Sequence, residues 1–297
     1  MTFATELCPL RVTAIATVGS WGTQAAQLLA HVAGAATTRC DVAPPVAGFV
    51  GSSFNPIVYS CIKTLAAGAG IPQPARTAIV LASGLGDAWT LDAASQCAVQ
   101  GDRVSATLFY QSVPVSILGY AARELGIQGG LLSVSGLPDP WHEALELCRC
   151  LLQVGEVRAV ILLVAATPGS ERAQAIYRQI DPQRRDAELS DVAFAVSLAL
   201  PDPADSTSPW LVASPGSLVV GRELAQAADE NAQPLETSCT LPSEARTIAR
   251  VCIAVERLRA GCLPSAWQIQ VSRSDAAAKR IGRAAANEVD TFVQKRE

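Results

Sequence analysis

The sequence predicts an α/β fold in which buried strands alternate with helices. Four segments rich in apolar residues have the length of strands, at residues 10–18, 77–81, 159–166 and 192–200, and the run at 159–166 is continuously apolar. Segments with apolar residues at helical spacing lie between them, and several of these segments end at glycine. The chain has 297 residues, of which 49% are hydrophobic and 17% charged, so it is long and apolar enough to bury a large core.

The charge and the cysteines argue against several classes of function. A net charge of −4 provides no basic surface for nucleic acid. Nine cysteines occur without C-x-x-C spacing and no signal peptide is visible, so we expect reduced thiols in the cytoplasm. The run at residues 159–166 is too short to span a bilayer. No cluster has metal-ligand spacing, and we expect no metal and no cofactor.

Helices and turns of the first two thirds follow from spacing and from turn residues. Apolar residues recur at helical spacing in five segments, at residues 22–35, 55–67, 87–100, 116–125 and 140–154. The glycine-rich turn at residues 82–86 lacks the lysine of a phosphate-binding P-loop, so we interpret it as a tight corner. A short strand at residues 131–135 precedes Asp139, a good helix N-cap, and Pro140 at the first helical position.

The last third begins after a linker. Residues 201–209, PDPADSTSP, have the composition of a loop. Beyond them we expect a hairpin at 210–220, helices at 221–230, 242–260 and 275–286, and strands at 266–271 and 289–293. The chain is thus predicted to divide into residues 1–205 and a shorter unit at residues 206–297.

The stretch at residues 105–164 resembles the nucleophile region of the β-ketoacyl synthases, the condensing enzymes of fatty acid and polyketide synthesis. ILGYAARELGIQGGLLSVS is similar to the family's helix and strand of the ISILFGLRGPSLTV type. The turn at residues 82–86 is similar to its G-T-G-L-G turn, and residues 109–114 to its F-x-x-x-x-P-N segment. The resemblance implies a thiolase-like fold with a well-kept N-terminal half and a truncated C-terminal half.

The resemblance also implies that the catalytic residues of the family are missing. In the synthases a V-S-x-A-C-x-S-G turn places a cysteine at a helix N-terminus, which lowers the pKa of the thiol and supplies N–H groups for an oxyanion. Laid over this motif, residues 134–140 place Pro138 at the position of the cysteine. Cys239 takes the place of the second catalytic histidine, and the segment that carries the first has no counterpart.

We therefore expect a non-catalytic subunit of the chain length factor type, as in type II polyketide and aryl polyene systems. The resemblance implies a heterodimer with an active β-ketoacyl synthase, to which an acyl carrier protein delivers substrate and whose acyl cavity this chain shapes or stabilises. The expected interface is the strand of Leu131, Leu132, Ser133, Val134 and Ser135. Three aromatic residues are candidates to line the cavity or a subunit contact, with core packing as the alternative: Phe109, Tyr110 and Trp141.

Two alternatives remain open. A thiolase-fold enzyme with another reaction, such as thioester hydrolysis or acyl transfer, needs a nucleophile such as Ser135, Cys97 or Cys239 close to His142. We prefer to interpret His142 as a helix-turn residue, because no nucleophile at motif spacing accompanies it and an imidazolium there opposes the helix dipole. The second alternative is a homodimeric scaffold.

Overall fold

The computed structural model describes residues 9–24, 27–28, 31, 43–137, 140–180, 189–202, 208–214, 217–221, 233–234, 241, 245–260 and 266–270. Its strands are β1 (Leu10–Val18), β2 (Thr77–Ala82), β3 (Leu131–Val134), β4 (Ala159–Ala166), β5 (Val192–Ala199), β6 (Trp210–Ser214), β7 (Ser217–Gly221), β8 (Gln233–Pro234) and β9 (Ala266–Gln270). Its α-helices are α1 (Phe54–Ala69), α2 (Ala88–Gln100), α3 (Ala106–Ser112), α4 (Val115–Leu125), α5 (Trp141–Val154), α6 (Glu171–Ile180) and α7 (Arg246–Arg259).

The described strands form one mixed sheet in the order β3-β2-β4-β5-β1-β6-β7-β9-β8. Strands β3, β2 and β4 are parallel, whereas β5 pairs antiparallel with both β4 and β1. The hairpin of β6 and β7 continues the sheet through two residue pairs between β1 and β6. Strands from both sides of the linker at residues 201–209 thus belong to the same sheet.

Helices cover both faces of this sheet. Helices α5 and α7 pack on what we call the first face, and α1 and α4 on the second face. Strand β4 alternates Val160, Leu162 and Val164 toward the first face with Ile161 and Leu163 toward the second. Because both faces are covered, every residue of β4 is buried, and this explains its unbroken apolar run.

A β-bulge in β1 reverses which of its alternate side chains point to each face of the sheet. Val12 pairs with Leu198 and Ala14 pairs with Ser197, which leaves Thr13 as an extra residue without a partner in the register. Val12 consequently contributes to the core of the first face and Ala14 to that of the second. The hydroxyl of Thr13 donates to the hydroxyl of Ser197 at 2.8 Å, which anchors the bulge.

The structure confirms most predicted elements, including the hairpin after the linker and the helix ends at Gly126 and Gly155, which adopt the left-handed conformation. Helix α5 begins at Trp141 with Pro140 as its N-cap residue, one position later than predicted. The described helix α7 begins at Arg246, and residues 242–244, over which the helix is also predicted, lie outside the described residues. Gly221, the first residue of the helix predicted at 221–230, belongs to β7, and the rest of that helix lies outside the described residues, as do the predicted elements at 275–286 and 289–293.

Helices α3 and α6 were not predicted. Each begins after a serine whose hydroxyl accepts a backbone N–H of the first turn, Ser105 from Thr107 at 3.2 Å and Ser170 from Ala173 at 3.1 Å. These serines were the available sequence signal. In the described part of the chain, no helix combines the length and the hydropathy that a membrane crossing requires.

Candidate functional site

The turn between β3 and α5 is the site that the sequence singles out. Because β2 and β3 are parallel neighbours, this turn and the glycine-rich turn at residues 82–86 follow the carboxyl ends of adjacent strands and lie side by side. Two hydrogen bonds join the turns: the Ser83 N–H donates to the Val134 carbonyl at 3.0 Å, and the Ser135 hydroxyl donates to the Gly84 carbonyl at 3.1 Å. Pro138 and Asp139 lie outside the described residues, so the position of the lost nucleophile stays a prediction.

The alternative catalytic residues are not assembled in the described part of this turn. Ser135 is exposed and its hydroxyl proton is donated to a carbonyl, which is no base. His142 is exposed on the first turn of α5, and no hydrogen bond among the described residues connects it to Ser135. A serine nucleophile needs a base within hydrogen-bond distance of its hydroxyl. Cys239 lies outside the described residues.

The described cysteines include three thiols that are poor nucleophiles. Burial raises the pKa of the Cys61, Cys148 and Cys252 thiols, which keeps them protonated at neutral pH. Cys97 is a half-buried free thiol in α2. Across the described ranges, no group of three or more His, Cys, Asp or Glu side chains is arranged to hold a metal ion.

Strand β3 lies at the edge of the sheet and pairs only with β2 among the described strands. The carbonyls of Gly130 and Val134 accept N–H groups from Ile79 and Ser83, so these alternate residues direct their backbone groups toward β2. Successive residues of a strand direct their backbone groups to opposite sides. The N–H and C=O groups of Ser133 therefore point away from β2, toward the edge of the sheet that no other described strand covers.

The apolar side chains of the predicted interface strand pack into their own chain, whereas its outer backbone groups do not. Leu131 packs against the core of the second face, whereas Leu132 and Val134 pack against that of the first. Ser133 and Ser135 are exposed. The outer edge of β3 thus offers a partner mainly backbone hydrogen-bonding groups, while its apolar side chains are half-buried in their own chain.

The three aromatic candidates lie in two different environments. Phe109 and Tyr110 on α3 are 68% and 52% exposed, and the Tyr110 ring lies 5.8 Å from that of Phe49. Trp141, the first residue of α5, is 1% exposed and lies in the core of the first face. Trp141 is therefore a core residue, while the two residues of α3 are available to line a contact with another molecule.

A buried polar network holds α3 in place. The carboxylate of Asp87 accepts hydrogen bonds from the Ser52 hydroxyl at 2.7 Å, the Asn55 amide at 3.1 Å, and the hydroxyl and backbone N–H of Thr90 at 2.7 and 3.1 Å. The amide of Asn55 also donates to the Gln111 carbonyl at 3.2 Å. These bonds connect the N-termini of α1 and α2 to the helix that carries Phe109 and Tyr110. No local sequence pattern indicates the network, because its members are distant in sequence.

No protein-family model and no curated sequence matches this chain. Several solved structures do match.

The ketosynthase ApeO in complex with its chain length factor ApeC, from Xenorhabdus doucetiae, matches over 67% of this chain and 81% of that chain, with 20% identity and a TM-score of 0.52. The ishigamide ketosynthase/chain length factor matches over 71% of this chain and 65% of that chain, with 17% identity and a TM-score of 0.53. A β-ketoacyl synthase from Burkholderia phymatum matches over 76% of this chain and 67% of that chain, with 12% identity and a TM-score of 0.56. The chain therefore has the thiolase-type α/β fold of the ketosynthases and chain length factors.

Proposed function

We propose that the chain is a non-catalytic subunit of the chain length factor type, which pairs with an active β-ketoacyl synthase. The observation that carries the proposal is the outer backbone edge of β3, which no other described strand covers, beside the turn at which the synthases hold their nucleophile. The fold likeness supports it, since the similar structures include complexes of a ketosynthase with a chain length factor. The exposed Ser135, without a base in the described part of its turn, agrees with a subunit that does no chemistry itself.

The contact is built from β3 and from α3. A strand of the synthase pairs with the outward N–H and C=O groups of β3, which extends the sheet across the interface. Helix α4 contacts both β3 and α3, so Phe109 and Tyr110 lie on elements next to this edge. Their burial against the synthase adds apolar area to the backbone hydrogen bonds.

The role of the subunit follows from these side chains. Phe109 and Tyr110 contribute bulky walls to the acyl cavity of the synthase and so limit or stabilise the growing chain. The synthase supplies the nucleophile and receives acyl groups from an acyl carrier protein in the cytoplasm, in a synthesis of the polyketide or aryl polyene type. Residues 1–205 carry both β3 and α3, so the pairing function resides in that half.

The test is co-expression with the condensing enzymes encoded near this chain, followed by pull-down and size-exclusion chromatography. We expect a one-to-one complex. Ser133→Pro removes an N–H that points away from β2, so it should weaken the complex at least about tenfold while leaving the pairing of β3 with β2 intact. Ser133→Ala keeps that N–H and is the matched control, with unchanged affinity.

Two results contradict the proposal. Equal binding by the proline and alanine variants excludes β3 as the interface. A chain that elutes as a homodimer and cleaves acyl thioesters is an enzyme, and loss of that activity in Ser135→Ala would identify the serine as its nucleophile.

A further inference from the structure

We propose that a cavity at the other ends of the strands, away from the turns that follow β2 and β3, binds a small organic molecule that carries a phosphate monoester. The cavity has a volume of about 530 Å³ and lies where β2 and β4 begin and β5 ends. The turn at residues 82–86 follows the other end of β2, so the cavity is separate from the partner-facing site. The described polar residues that line it are Arg11, Thr13, Gln73, Arg76, Arg158 and Asp202.

Two of the three arginines are held in place by the fold. The guanidinium of Arg11 lies 4.0 Å from the centre of the Trp210 ring, and this arginine is only 5% exposed. Arg76 donates to the Gly155 carbonyl at 2.6 Å and to the Glu156 carbonyl at 3.2 Å. Guanidiniums that are already fixed lose little conformational freedom when they bind an anion.

The third arginine is available to a ligand. The backbone N–H of Arg158 donates to the carbonyl of Arg76 at 2.8 Å, which places these residues side by side at the cavity. Arg158 is exposed, and its guanidinium makes no hydrogen bond to any other residue that the structure describes. A guanidinium presents paired N–H donors that match the oxygens of a phosphate.

The charge and the apolar lining define the class of ligand. Among the lining residues that the structure describes, three guanidiniums and the carboxylate of Asp202 give a net charge of about +2 at neutral pH. A phosphate monoester carries about −1.5 to −2 at that pH and so balances this charge. Leu152, Val157 and Leu200 line the same cavity, which favours an organic group attached to the phosphate over inorganic phosphate. The volume lies within the range of about 300–1,000 Å³ typical of small-molecule sites.

A strained residue marks the same place. Gln73 has φ = 50°, and it is the one non-glycine residue with a positive φ in the described ranges. Its carbonyl accepts the Arg76 N–H at 2.8 Å and the Thr77 hydroxyl at 3.2 Å, so the strained residue is bonded to the segment that positions Arg76. Strain of this kind clusters at binding sites, where the surrounding structure holds it.

The experiment is isothermal titration calorimetry of the full chain with phenyl phosphate, inorganic phosphate and succinate. We expect phenyl phosphate to bind more tightly than inorganic phosphate, and succinate to bind more weakly than phenyl phosphate. Arg158→Gln should weaken phenyl phosphate binding roughly tenfold to a hundredfold, the loss expected for a charged hydrogen bond. Arg103→Gln removes an equal charge at an exposed position outside the cavity and should change nothing.

A second variant should bind phenyl phosphate more tightly, a result that damage to the fold would not produce. Asp202→Asn raises the net charge of the cavity and should tighten phenyl phosphate binding. Absence of binding by all three probes, or equal effects of Arg158→Gln and Arg103→Gln, overturns the proposal. Equal affinity for succinate and phenyl phosphate overturns the assignment of a phosphate monoester.

Discussion

Replacing Asp87 by alanine tests whether the buried polar network holds the partner-facing helix. Asp87 is 2% exposed and is the N-cap of α2, and it accepts four hydrogen bonds from Ser52, Asn55 and Thr90. Alanine removes every acceptor and leaves the donors in place. The fold should survive, because the network lies beside the sheet and contributes none of the strand pairing.

The expected loss follows from the individual contacts. Loss of an N-cap side chain costs about 1 kcal/mol. The hydroxyl of Thr90 and one N–H of the Asn55 amide are left buried without this acceptor, at about 1 kcal/mol each, while the Ser52 hydroxyl is half-buried and turns to water. The free energy of unfolding should therefore fall by about 3 kcal/mol.

Urea unfolding followed by circular dichroism measures this change, and the midpoint should fall without a change in slope. Thermal unfolding should show a decrease in Tm of about 5 °C for that loss, because a chain of 297 residues unfolds with an entropy of roughly 0.6 kcal/mol/K. Asp102→Ala removes an exposed carboxylate just beyond the end of the same helix and should change stability by less than about 0.5 kcal/mol. A loss below about 1 kcal/mol for Asp87→Ala would refute the reasoning, because the network would then carry little of the local stability.

Further predictions concern backbone packing and a surface pair. Gly129→Ala should destabilise the chain by about 2 kcal/mol or more in urea unfolding, because the new Cβ would lie 2.3 Å from the carbonyl oxygen of Thr77. Gly119→Ala, in the exposed interior of α4 with open space around it, should instead stabilise the chain by about 0.5–1 kcal/mol. The Tyr59 hydroxyl donates to the Glu124 carboxylate, which lowers the pKa of Glu124 and raises the pKa of Tyr59 to about 12. The stabilisation that this hydrogen bond gives the folded chain is present above the ordinary pKa of Glu124, 4.5, and is lost as the pH falls through the lowered pKa. Tyr59→Phe should therefore lower the free energy of unfolding at neutral pH and leave it unchanged at acid pH.

Local features of the fold were predictable from the sequence because each depends on neighbouring residues. The apolar run of β4 indicates a strand that is covered on both faces, and the structure has helices on both. Gly126 and Gly155 mark helix ends because glycine adopts the left-handed conformation at little cost. The short strand β3 and its position before a helix also followed from local pattern.

Features that depend on distant residues were not predictable in this way. The bulge at Thr13 exists because of the register between β1 and β5, which no local pattern encodes. The arginine-lined cavity brings together residues 11, 76 and 158, each of which resembles a solvated charge in sequence. Trp141 is close in sequence to the predicted site, but the rotation of α5 directs it into the core.

The pairing of β1 with β5 has a consequence for the order of folding. Arg11 pairs with Ala199, so β1 must wait for nearly the whole first two thirds of the chain before its main partner exists. At ribosomal rates of roughly 5–20 residues per second, this interval is roughly 10–40 s. Strands β2, β3 and β4 assemble from nearer segments and can pair first, whereas β1 is an apolar strand with two open edges during synthesis. The nascent chain is therefore exposed to aggregation through β1 for this whole interval. A chaperone that held β1 until β5 emerges would protect the strand.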